Sequence, residues 1–158
     1  MFNRKLAALA LSATVLLGTS ACSFSSNIPT LQMYAPSEGV DADTTNVALR
    51  NFIYLSNGTN SELIGSAVNT TNKVVKFSLT FETEAAKTVV DFELAAGEKL
   101  DIGYNGNPGI ALPANGKPGD IEPISVTEGS ETVNMNVPIL DGSLPQYAEL
   151  VKTLGTPE

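Results

Sequence analysis

The sequence predicts an all-β protein, an antiparallel immunoglobulin- or cupredoxin-like β-sandwich of about seven strands. Three observations lead there. From Thr45 to Ile139, apolar residues recur with period two. Turn residues break these runs at short intervals: Asn57-Gly58, Ala96-Gly97, Glu128-Gly129-Ser130 and Asp141-Gly142. No helical period persists for a useful length, and many short strands with regular turns are the mark of a sandwich.

The first run, Thr45 to Leu55, places Val47, Leu49, Ile53 and Leu55 on one face and Phe52 and Tyr54 on the other. Glu62 to Val68 is the second run. It leads into Asn69-Thr70-Thr71-Asn72, whose short polar side chains can bond their own backbone. In the third, Val75, Phe77, Leu79 and Phe81 alternate with Lys76, Ser78, Thr80 and Glu82. Val90, Phe92 and Leu94 follow, and then Leu100, Ile102 and Tyr104, all expected to face inward. Residues 105–119 read as a loop, with Ile110-Ala111-Leu112 as a short edge strand. Pro123 interrupts the run from Ile121 to Val126, which suits an edge or a bulge. Val133, Met135, Val137 and Ile139 form the last apolar face, and Leu144 to Leu154 has room for one or two helical turns.

The chain before this region has a different character. Arg4-Lys5 precedes an uncharged apolar segment, Leu6 to Leu17, and small residues lead from Gly18 to Cys22. About a dozen apolar residues are too few to cross a hydrocarbon core, which needs about 20, but they suit a secretory signal. Ser20-Ala21-Cys22 resembles the lipobox of bacterial lipoproteins, with Thr19 where the usual box has an aliphatic residue. Cys22 is the only cysteine. Lipidation would account for a lone thiol in an exported chain, since stable anchoring takes more than one acyl chain and a diacylglycerol supplies two. The expected organisation is a signal peptide over 1–21, a lipidated Cys22 and flexible tether over 22–44, the sandwich over 45–143, and a C-terminal segment over 144–158.

Removing residues 1–21 leaves 137 residues, enough for one core. Arg4 and Lys5 are two of the nine basic residues, and none of the seventeen acids precedes Cys22, so the remainder carries a side-chain charge of −10. That charge disfavours nucleic acid and an electrostatic membrane patch. The chain has no histidine, which removes Ser-His-Asp and Cys-His nucleophiles and imidazole metal sites. We therefore expect no enzyme, no cofactor and no catalytic or metal-binding residue. Acidic groups remain that read either as calcium-like clusters or as solvated turns and faces. They are Asp41/Asp43/Asn46 and Asp101/Asn105/Asn107, while Glu82/Glu84 and Asp120/Glu122 each set two carboxylates on one strand face, the pattern of a solvated sheet face. Two apolar patches suit a partner: Leu31, Met33 and Tyr34 in the tether, and Tyr104, Ile110 and Leu112 on the long loop. Each also has a plain reading, as packing on its own domain or as a simple connection.

Four segments together resemble the LpqE-like family of actinobacterial lipoproteins. They are Val47-Ala-Leu-Arg-Asn-Phe-Ile53, Ala67-Val-Asn-Thr-Thr71, Lys117-Pro-Gly-Asp-Ile121, and the stretch from Val137 to Leu150 (VPILDGSLPQYAEL). The resemblance implies a sandwich distantly similar to PCuAC-type copper chaperones. It also implies an accessory subunit on the outer face of the cytochrome bcc–aa3 respiratory supercomplex. The copper-chaperone ligands, histidine and paired methionine, have no counterpart here.

Overall fold

A computed structural model describes residues 37–82, 87–112 and 116–155. Leu31, Met33, Tyr34 and Cys22 lie outside these residues. The elements are β1 (Val40–Asp43), β2 (Val47–Ser56), β3 (Ser61–Asn69), β4 (Val75–Glu82), β5 (Lys87–Leu94), β6 (Lys99–Ile102), β7 (Ile110–Ala111), β8 (Ile121–Glu128), β9 (Glu131–Leu140) and the short helix α1 (Ala148–Thr153). Seven strands follow one path, β5-β4-β8-β9-β2-β3-β6, with β1 added beside β2 and β7 beside β3. The all-β fold is as expected. The sheet curls into two layers, β5-β4-β8-β9 and β1-β2-β3-β6, and one contact between them is parallel: Tyr54 and Leu55 on β2 meet Ile139 and Leu140 on β9. β1 falls inside the stretch expected to be tether, so regular structure begins before residue 45.

The core lies between the layers. Val75, Phe77, Leu79 and Phe81 of β4 face it from one layer, with Ile124 and Val126 of β8 and Met135, Val137 and Ile139 of β9. The opposite layer contributes Val47, Leu49, Phe52 and Tyr54 of β2, with Leu63, Ala67 and Ile102. Tyr54 meets Phe81 edge-on at 6.5 Å, joining the two layers. Asn69 is buried at the end of β3. It stays satisfied because its amide donates to the Lys73, Leu94 and Ala95 carbonyls while its oxygen accepts from Thr71.

β2 departs from the expected alternation. Its pairing with β3 runs to Arg50↔Ser66 and resumes at Ile53↔Ile64, so Asn51 and Phe52 together oppose Gly65. This is a β-bulge, with Asn51 in the left-handed region at φ 54°. One extra residue reverses the parity of everything after it. Val47 and Leu49 before the bulge share the core with Phe52 and Tyr54 after it. Ile53 and Leu55 turn to the outer face, where they join Ile64 under Tyr147, Val151 and Leu154 of the C-terminal segment. The expected grouping of Val47, Leu49, Ile53 and Leu55 is therefore corrected. Gly65 is glycine for the same reason: a Cβ there would sit 2.8 Å from the Phe52 ring.

Two further expectations are also corrected. β8 is an interior strand rather than an edge, and Pro123 fits there because the β4 ladder stops at Phe81↔Ile124, just short of it. Glu122 and Asp120 do not share a face. Asp120 precedes β8 and is exposed, whereas Glu122 points inward and is buried.

Candidate functional site

The long loop predicted as a contact surface forms one wall of an open cleft of about 880 Å³. Leu55, Glu62 and Ile64 of β2 and β3 form its floor, residues 103–109 one side, and Leu150, Thr153 and Leu154 at the end of α1 the other. The bulge turns Leu55 outward, and Leu55 and Ile64 lie fully buried beneath the C-terminal segment and Tyr104, so the polar part of the floor is Glu62.

The loop is held from several directions. Gly103 donates to the Pro108 carbonyl (3.1 Å) and Asn107 to the Tyr104 carbonyl (3.0 Å), closing the loop on itself. At Gly103 the chain turns at φ 73°, and a Cβ would meet Ile64 at 2.3 Å, so glycine alone permits this approach. Because β6 ends at Ile102, that turn sends Tyr104 to the outer cluster and not into the sandwich with Leu100 and Ile102. The Tyr104 hydroxyl accepts from Asn51 (3.4 Å), and the Asn51 oxygen accepts from the Gly39 amide (3.1 Å). Tyr147 and Gln146 donate to Glu38 at 3.3 and 3.1 Å. One polar knot thus joins the start of the described chain, the bulge, the loop and the C-terminal segment. Burial, followed by the charges of Glu38 and Asp101, pushes the Tyr104 hydroxyl up. Burial also raises Tyr147 to about 12, with Tyr104 and Glu38 adding to the shift. Both phenols stay neutral at physiological pH.

Asp101 anchors the base of the loop. Its carboxylate accepts from Lys99 (2.7 Å), Ser66 (2.8 Å) and Asn105 (2.7 Å), and these donors hold it down to about 2. The folded value lies below the ordinary aspartate range, so its stabilising effect is complete above that range and fades as pH falls towards 2. We expect the thermal midpoint to fall more steeply between pH 5 and pH 2 in the natural chain than in Asp101→Asn. Equal slopes would remove Asp101 as the anchor.

The acidic groups read as possible metal sites are engaged elsewhere. Asp43 pairs with Arg50 at 2.6 Å, Asp41 accepts from the Asn51 amide at 2.9 Å, and Asn46 turns away to bond Glu128. Asp101 and Asn105 do converge, but with an ammonium and a hydroxyl already in place. Glu82 pairs with Lys87, and Glu84 lies outside the described residues. Among the described residues no three His, Cys, Asp or Glu side chains gather as a metal site.

Of the anticipated contact residues, Tyr104 lines the cleft, whereas Ile110 and Leu112 pack against the main core. Glu62, Leu150 and Leu154 were not anticipated. The signal for them was the parity change around Asn51, which implies an apolar outer patch needing cover. No protein-family model matches this chain, and no curated protein aligns with it. The arrangement is an open groove of mixed character, with Tyr104 and Leu150 beside Glu62, Asn105 and Asn107.

Proposed function

We propose that this chain is a non-catalytic, lipid-anchored accessory protein on the outer face of the cytoplasmic membrane. It would be of the LpqE-like kind and associated with the cytochrome bcc–aa3 supercomplex. The observation that carries this reading is the lipobox-like segment ending in Cys22, followed by a strongly acidic β domain without histidine. The cleft supports it. Its loop is braced by hydrogen bonds before any partner arrives, which lowers the ordering cost of binding.

The test is a mild-detergent pull-down of the tagged protein, read by mass spectrometry and a haem spectrum. Co-purifying cytochromes, lost when Tyr104 and Leu154 are both changed to Ser, are the expected result. Recovery of the protein alone, without haem, would count against the respiratory role. Cys22→Ser should abolish incorporation of a labelled fatty acid, and retained label would remove the anchor. A second reading, an envelope lipoprotein that binds a small ligand, draws on the cleft volume, which falls in the usual range for ligand sites.

A further inference from the structure

We infer that β5 is a self-complementary edge through which two copies of this chain join, β5 against β5, in an antiparallel pair with twofold symmetry. The inference is independent of the respiratory reading. Among the described residues β5 ends the strand path, and its eight residues pair with β4 in unbroken register, without a bulge, proline or glycine. The other outer strands are short: β1 and β6 have four residues each and β7 has two. Long regular edges are templates for another strand, and folds usually blunt them. This one keeps its length and regularity, and its outer face carries Lys87, Asp91 and Glu93 beside Val89. Val89 is 51% exposed on its outer face, while Val90 and Phe92 on the inner face reach the core only partly buried.

The charges along β5 select the occupant. Within one chain Lys76 pairs with Glu93 (2.8 Å) and Lys87 with Glu82 (2.8 Å), at opposite ends of the β4–β5 ladder. An antiparallel copy centred on Val90 brings Glu93 opposite Lys87 of the second chain, and Lys87 opposite its Glu93. Each end of the seam then reads Lys76, Glu93, Lys87, Glu82 across four strands, with alternating sign. Between these rows Val89 meets Asp91 at the outer face, and Thr88 meets Phe92 at the inner one. Val90 packs on its own copy. The opposed charges at both ends and the single apolar pair, Val90 on Val90, favour the pairing, and like charges at facing positions oppose it. The two layers β5-β4-β8-β9 would become one continuous layer of eight strands.

The experiment is sedimentation velocity on the complete chain in dodecylmaltoside, for the natural protein, Lys87→Glu, Glu93→Lys and an equimolar mixture of the two variants. Lys87 and Glu93 are 62% and 58% exposed, so neither change threatens the fold, and circular dichroism checks that. The natural chain should sediment as a dimer. Each variant alone places two like-charged pairs in the seam and should weaken the dimer about tenfold. The mixture restores both pairs as opposite charges and should dimerise again. A natural chain that stays monomeric overturns the proposal. So does a dimer indifferent to both charge changes, which would place the contact elsewhere.

Discussion

Phe52→Ala is expected to cost about 3–5 kcal/mol of folding stability, the loss typical of a large aromatic removed from a packed core. Phe52 is fully buried on the sandwich side of β2, next in parity to Tyr54, and its ring lies over Gly65 with no room for a Cβ between them. Shortening it leaves a cavity that the glycine opposite cannot fill. A loss of this size is a large share of the roughly 5–15 kcal/mol that holds a domain together. Urea denaturation followed by tyrosine fluorescence measures it, since the chain has no tryptophan. A loss below about 1 kcal/mol, the scale of a surface change, would return Phe52 to the outer face.

Asn51→Val is expected to destabilise by about 2–4 kcal/mol, through two separable effects. A β-branched side chain at φ 54° is strained, and the bonds to Gly39 and Tyr104 disappear. Asn51→Gly separates them, because it keeps the backbone comfortable and removes only the side-chain bonds. That variant should lose about 1 kcal/mol. If glycine and valine cost the same, strain at the bulge is not the reason for asparagine. Both variants should also release Tyr104, and with it the inner wall of the cleft. Faster hydrogen exchange over residues 103–109 would report that loosening.

These two substitutions mark the boundary between local and tertiary information. The alternation in β4 was legible because Phe77, Leu79 and Phe81 bury one face against a single core, so period two survives intact. In β2 six successive residues, Arg50 to Leu55, mix polar and large apolar types, and simple alternation assigns them wrongly. Nothing in that string alone says which residue is the extra one. The choice rests on Gly65, opposite on the partner strand, on the Gly39 amide that donates to the Asn51 side chain and on the Asp41 carboxylate that accepts from its backbone N–H. Pro123 teaches the same lesson, since its tolerance depends on where a neighbouring ladder happens to stop. Acidic pairs close in sequence looked like candidate ligands, yet Arg50, Lys99 and the turn amides reach them first.

By itself the sequence determined the all-β class, the strands from β2 onward and the inward faces of β4, β5 and β9. These follow from side-chain periodicity, which a strand expresses residue by residue. Tertiary structure alone decided the bulge at Asn51, the outward turn of Ile53 and Leu55, the docking of the short helix over them and the cleft beside Tyr104. Each of those depends on contacts between residues far apart in the chain, where the free energy of packing overrides the local pattern.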